Sequence, residues 1–129
     1  PNYSQLIPDS FSKILNFNTK KLIDALERIA VLADQQSSVV KIKLDNTDLA
    51  SISADAQDIG NANESIAVSY SGENFDIAFN VRYLLEGLKV IASENVLLKC
   101  NIATTPAVFV PEDNLNSFTY LVMPVQIRS

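Results

Sequence analysis

Phe17-Asn18-Thr19-Lys20-Lys21-Leu22-Ile23-Asp24-Ala25-Leu26-Glu27-Arg28-Ile29-Ala30 and Phe79-Asn80-Val81-Arg82-Tyr83-Leu84-Leu85-Glu86-Gly87-Leu88-Lys89-Val90-Ile91-Ala92 follow one plan. With the two Asn residues aligned, Lys20 falls on Arg82, Leu22 on Leu84, Ile23 on Leu85, Leu26 on Leu88, Ile29 on Ile91 and Ala30 on Ala92. Helical spacing accounts for the apolar matches, because any amphipathic helix repeats apolar residues three and four apart. It does not account for the shared Phe-Asn opening or the shared cation. The two stretches read as an internal duplication, with halves at roughly 9–71 and 72–129 of a single domain.

Each half continues alike. A strand runs into an Asn whose side-chain oxygen can accept an orphan N–H of the following helix. The helices are expected at about 19–33 and 81–92. Leu22, Ile23, Leu26, Ile29 and Ala30 face inward on the first, and Val81, Leu84, Leu85, Leu88 and Ile91 on the second. Strands follow in both halves. Val40, Ile42 and Leu44 alternate with Lys41 and Lys43, and Leu49 to Ala54 is their hairpin partner across Asp45-Asn46-Thr47. Ile66, Val68 and Tyr70 alternate next, then Phe75, Ile77 and Phe79 beyond the turn at Ser71-Gly72-Glu73. In the second half Val96, Leu98, Cys100 and Ile102 form an inward row, Val108 and Val110 follow, and Phe118, Tyr120 and Val122 close the chain's strands. The helical crossovers of a parallel sheet are missing. The expected fold is α+β: an internally duplicated domain with two helices packed side by side on mainly antiparallel sheets.

Composition narrows the function. With 129 residues, 47% hydrophobic and 19% charged, the chain suits one globular domain, and no apolar run approaches a membrane span. The net charge of −5 argues against a dedicated high-affinity nucleic-acid binder, which is usually basic, so any contact with DNA is expected to be local and weak or to rely on something other than affinity. The single Cys100 offers no disulfide and fits a reducing compartment; it reads as a small core residue. The chain starts at Pro1 without a Met, as a processed product or a piece of a longer protein would.

Catalytic chemistry is hard to assemble. There is no His, hence no imidazole base, nucleophile pair or imidazole metal site. Gly60, Gly72 and Gly87 lie too far apart for a phosphate-cradling loop. Asp55, Asp58 and Glu64 lack calcium-loop spacing and read as a solvated strand edge or loop, or as a charged joint surface. No cofactor or metal is expected. A hydrolase using carboxylates alone remains a formal possibility that no residue pattern supports.

Two surfaces are left. Lys20 and Arg82 start the exposed faces of the two helices, and Lys89 shares its face with Arg82. Such a face can meet phosphates or can simply be solvated, and Asp24, Glu27 and Glu86 dilute its field. The second surface is the tail Tyr120-Leu121-Val122-Met123-Pro124-Val125-Gln126-Ile127. Pro124 cannot donate a ladder hydrogen bond, so the tail is an edge, and an exposed Met-Pro-Val stretch makes an adaptable binding patch. The competing reading is a last strand buried in its own domain.

Five stretches taken in order resemble the processivity clamp of bacterial replicative polymerases, the DNA polymerase III beta subunit or sliding clamp family. Pro1-Asn2-Tyr3-Ser4-Gln5-Leu6-Ile7-Pro8 is similar to the segment entering that family's third, C-terminal domain. Ala25-Leu26-Glu27-Arg28-Ile29-Ala30-Val31-Leu32-Ala33 is similar to its first helix. Tyr70-Ser71-Gly72 with Phe79-Asn80-Val81-Arg82-Tyr83-Leu84 resembles the strand and second helix, and Tyr120-Leu121-Val122-Met123-Pro124-Val125 the terminal strand. The match covers nearly the whole chain, which would be about a third of a family protomer.

The resemblance implies a cytoplasmic, non-enzymatic protein: a head-to-tail ring of two protomers around duplex DNA, held weakly and by topology. Lys20, Arg82 and Lys89 would face the DNA. Arg28, Val31 and Leu32 would belong to the ring joint; Val31 stands off the buried stripe, which supports that reading against a core residue near a fraying helix end. The implied partners are the replicative polymerase, the clamp loader and other proteins with a clamp-binding peptide, besides the second protomer. Their peptide would dock on Pro1, Gln5, Leu6, Asn80, Tyr83, Thr105, Ala107, Leu121, Val122, Met123, Pro124, Val125, Gln126 and Ile127. Other members often carry Arg where Gln5 and Gln126 stand, and an aromatic near Ser37, so the apolar floor of the pocket is the part that carries over. Two apolar anchors contribute about 3–6 kcal/mol gross against an association cost of at least about 4 kcal/mol, so exchangeable binding is expected. The alternative is a duplicated α+β interaction domain with no DNA role.

Overall fold

Two strand-to-helix joints organise the chain. In the computed structural model, β1 (Lys13–Asn18) runs into α1 (Thr19–Ala33), and β5 (Phe75–Asn80) into α2 (Val81–Leu88). Both joints are capped as the Asn residues foretell: Asn18 Oδ1 accepts from Lys21 N at 3.0 Å, and Asn80 Oδ1 from Arg82 N at 2.9 Å and Tyr83 N at 3.3 Å. The structure describes residues 11–33, 39–44, 48–56, 60–70, 73–91, 93–102, 105–112 and 119–125.

Three strands follow each helix: β2 (Val39–Leu44), β3 (Leu49–Ala56) and β4 (Gly60–Ser69) after α1, and β6 (Asn95–Cys100), β7 (Ala107–Pro111) and β8 (Tyr120–Val122) after α2. The order strand-helix-three strands therefore occurs twice. Among the described residues all pairings are antiparallel, in one eight-stranded sheet of order β5-β2-β3-β4-β1-β6-β7-β8. The halves exchange their first strands. β1 pairs along its whole length with β6, from Lys13↔Cys100 to Asn18↔Asn95, and β5 with β2, from Val39↔Asn80 to Leu44↔Phe75.

The exchange leaves two seams. At one, β4 meets β1 through only Asn16↔Ser69 and Phe17↔Val68. At the other, where the repeat puts Ala78 in the place of Asn16, Val125 N donates to Ala78 O at 2.7 Å. The two ends of the strand order thus meet through the tail.

The core is continuous across both halves, with Phe17, Phe79 and Phe109 as its largest fully buried side chains. Phe79 and Phe109 tilt against each other with centroids 6.5 Å apart. From α1, Leu22, Ala25, Leu26 and Ile29 are buried; from α2, Val81, Leu84, Gly87 and Leu88. Replacing one of these leucines by Ala would cost about 2–5 kcal/mol in cavity and transfer terms. Cys100 is fully buried, and its burial pushes the thiol up to about 11.

Several expectations need correction. The second helix does not reach Ala92: Val90 N and Ile91 N bond back to Gly87 O and Leu88 O, three residues earlier, so the helix tightens and ends at Leu88. That turn brings Ile91 into the core. Ile23, Ala30 and Leu85 are only partly buried, because they sit at the margin of each apolar stripe; Ala25, too small to stand out, is fully buried. Ile102 leaves the inward row, since β6 ends at Cys100 and Ile102 stands exposed in a turn closed by Thr105. Phe118, like the turns at Asp45-Asn46-Thr47 and Ser71-Gly72, lies outside the described residues.

Candidate functional site

The seam between β5 and the tail holds a groove. The Asn80 cap fixes the first turn of α2, which raises Tyr83 outward with 61% of its surface exposed. On the facing wall β8 pairs with β7 through Ala107↔Val122, Val108↔Leu121 and Phe109↔Tyr120, which buries Val122 and tethers the strand. Pro124 has no N–H, so the ladder lapses at Met123 and Pro124, and the chain reattaches through Val125 N to Ala78 O. The tail therefore lies along β5 without merging into the sheet.

Between these walls lies a groove of about 380 Å³, lined by Phe79, Asn80 and Tyr83 on one side and residues 120–125 on the other. Among the described residues none that lines it is charged. Met123 projects from the wall with 57% of its surface exposed. Asn80 spends its carbonyl oxygen on the helix cap, and the Tyr120 hydroxyl donates to Tyr83 O at 2.8 Å. Burial raises the pKa of that hydroxyl, with Glu86 and Tyr83 adding to the effect. An apolar, open-sided groove with a few polar atoms at its rim suits apolar side chains on a short segment of chain. Among the described residues that line it, no carboxylate, amine or thiol is available for acid–base or nucleophilic chemistry.

The helix faces carry charge of both signs. Lys20, Lys21 and Arg82 are exposed near the helix starts. Lys89 Nζ lies 2.8 Å from Glu27 Oε2, which links the helices and offsets that cation. Arg28 grips Glu64 of β4 with two hydrogen bonds, Nε to Oε2 at 2.6 Å and Nη2 to Oε1 at 2.7 Å. The pair raises the Arg28 pKa and lowers that of Glu64, in each case chiefly through the hydrogen bond. One turn on, Val31 stands 67% exposed, off the buried stripe. Among the described residues no group of three or more His, Cys, Asp or Glu side chains could hold a metal ion. No helix of these residues is long and apolar enough to cross a membrane.

Residues 4–126 match the family model described as DNA polymerase III beta subunit, C-terminal domain. This chain belongs to that family. The beta sliding clamp of Synechococcus elongatus is 47% identical over all of this chain, and that of Synechocystis sp. 40% identical over 98% of it. The match covers 34% and 32% of those proteins, so the chain spans about a third of the length of the curated relatives it matches. In three dimensions the crystal structure of the DNA polymerase III beta subunit from Thermotoga maritima superposes on 99% of this chain and 34% of that one, with a TM-score of 0.93 at 27% identity. The α+β architecture with two helices and an antiparallel sheet is thus that of a clamp domain.

Of the docking residues expected in this clamp domain, the structure brings together Asn80, Tyr83, Leu121, Val122, Met123, Pro124 and Val125. Two others stand apart. Ala107 is fully buried behind Val122 and offers no side-chain surface, and Thr105 closes the turn at Ile102. Pro1, Gln5, Leu6, Gln126 and Ile127 lie outside the described residues, as does the side chain of Leu32. Tyr120, which opens the tail read as a binding patch, lines the groove as well, and Phe79 does so without having been expected. Phe79 lies in a strand whose alternation marks it as core; only the exchange of first strands, which brings β5 beside the tail, turns it toward a site.

Proposed function

We propose that this domain is one part of a ring-shaped processivity clamp that encircles duplex DNA, tethers the replicative polymerase and docks partner peptides in the groove between α2 and the tail. The role is mechanical, not catalytic. The observation that carries the docking reading is the groove itself: uncharged, open, walled by Tyr83 and Met123, and floored by Phe79. Membership of the clamp family supports the ring, with two protomers head to tail in the cytoplasm. The 129 residues would be one domain whose halves, 9–71 and 72–129, arose by duplication.

Topology accounts for the charge. Few cations on these helix faces mean little counterion release and weak binding, but a closed ring needs only weak contacts from Lys20, Arg82 and Lys89. The salt bridge of Lys89 to Glu27 weakens that face further. Arg28 and Val31 would belong to the ring joint, with Leu32 beside them. The replicative polymerase, the clamp loader and other peptide-bearing proteins would compete for one groove, each binding at roughly micromolar strength or weaker.

A fluorescent peptide of the Gln-Leu-x-Leu-Phe type tests docking. The expected result is saturable binding; none up to about millimolar concentration would sink an autonomous groove. Free duplex DNA should bind barely at physiological salt. Tight, salt-resistant binding would overturn the topological account.

A further inference from the structure

Gly87 lies one helical turn beyond Tyr83, four residues on and therefore on the same face of α2. It is buried, although it stands in the middle of a helix where glycine costs about 1 kcal/mol relative to Ala. What covers it is the ring of Tyr120. A Cβ at position 87 would come within 2.1 Å of Tyr120 Cδ2, 2.3 Å of Cε2 and 2.6 Å of Cγ. These atoms include the root of the ring, so a small swing of its far edge would not relieve the overlap. From this seat the Tyr120 hydroxyl reaches along the helix to donate to Tyr83 O at 2.8 Å. One side chain thus spans a full turn of α2, from the glycine to the residue that forms the groove's wall.

The consequence reaches the groove through the strand. Tyr120 opens β8, and Met123 to Val125 follow directly from it. Among the described residues of the tail, the bond from Val125 N to Ala78 O is the one that ties Met123–Val125 to β5. β8 is three residues long and pairs with β7 alone, so its distance from α2 is not set by the sheet. The geometry points to Gly87 as a positioning residue: its missing side chain seats Tyr120 on α2, and that latch holds the tail at the spacing from Tyr83 that the groove needs. The inference rests on the docking reading for its functional meaning, but not for its structural content.

The test has two readouts on the 129-residue chain. Amide hydrogen exchange at Val125 reports the latch without any ligand, and titration with the Gln-Leu-x-Leu-Phe peptide reports the groove. Gly87→Ala should speed Val125 exchange and weaken the peptide, each by about tenfold, as overpacking of this size does. In a Tyr120→Ala background, where no ring is left to displace, adding Gly87→Ala should change either readout less than about twofold. Tyr120→Phe keeps the ring and removes only the bond to Tyr83 O, so it should speed Val125 exchange by about threefold to tenfold. In the parent, the Gly87 α-protons should be shifted upfield by the ring above them, a result that survives even if Gly87→Ala does not fold. Unshifted Gly87 α-protons would overturn the latch. So would Val125 exchange that ignores Gly87→Ala, or an equal effect in both backgrounds. A parent that takes no peptide while Val125 still responds to Gly87→Ala would end the docking reading and leave the latch standing.

Discussion

Met123 is the side chain whose loss should separate docking from folding. Full burial of a Met side chain contributes about 1.5–3 kcal/mol. Met123 keeps 57% of its surface exposed in the free domain, so a ligand that covers it recovers about 1–1.5 kcal/mol. Met123→Ala gives up most of that, about 1 kcal/mol, and should raise the peptide Kd about fivefold. Met123→Glu adds the desolvation of a carboxylate against an uncharged wall, a further ~1–3 kcal/mol, for a total loss of about 30-fold or more. Because the position is exposed, either change should move thermal stability by no more than about 0.5 kcal/mol. Val90 is the matched control: it is 65% exposed, lies past the other end of α2 and does not line the groove. Fluorescence anisotropy with the labelled peptide gives the Kd values, and thermal melts confirm folding. If Met123→Glu binds within about twofold of the parent, or if Val90→Glu loses as much, the groove is not where the peptide sits.

Three further outcomes are expected. Asn80→Ala removes the acceptor that holds the N–H groups of Arg82 and Tyr83; stability should fall by about 1 kcal/mol in denaturant melts, and peptide binding should weaken as Tyr83 loosens. Cys100 should resist thiol reagents in the folded chain and react on unfolding. Its folded pKa of about 11 lies above its ordinary value near 9, so the stability it contributes is complete below pH 9 and declines as pH rises toward 11; Cys100→Ala should flatten that alkaline loss in melts at stepped pH. The Glu64 carboxylate is held below its ordinary pKa by Arg28, so the tie between α1 and β4 is fully present above the ordinary carboxylate range and is lost as pH falls through the lower folded value. The Arg28 Nε–H resonance, followed from neutral to acid pH, should keep its bonded shift until that point, and Glu64→Gln should remove the transition.

Local chemistry was legible in the sequence where one residue decides it. Asn18 and Asn80 foretold both helix starts, and the period of two placed the strands, because side chains that alternate in or out do so whatever they pair with. Val31 stood off the apolar stripe in the sequence and stands exposed in the fold. Pairing was not legible. Nothing in Lys13–Asn18 states that it joins β6 along its whole length and β4 of its own half through only two pairs, since a half-buried strand pattern fits either partner. The groove inherits this. Its tail wall could be read from the stretch that Tyr120 opens and Met123 and Pro124 expose, and its helix wall from Asn80 and Tyr83, but Phe79 enters only when the exchange sets β5 beside the tail. The seat of Tyr120 on Gly87 was hidden too, because a lone glycine in a helical pattern reads as a weak point until its neighbour is known. The end of α2 at Leu88 was missed for a related reason: Ile91 keeps the helical period while the backbone has already tightened to bury it.

Docking in the groove between α2 and the tail is tested most directly by titrating isotope-labelled chain with the Gln-Leu-x-Leu-Phe peptide and following backbone amide shifts. The largest changes should fall on Asn80, Tyr83, Leu121, Val122, Met123 and Val125, saturate together, and vanish in Met123→Glu. Saturating shifts centred elsewhere, for example on Arg28 and Val31, or no shifts at any peptide concentration, would contradict the account.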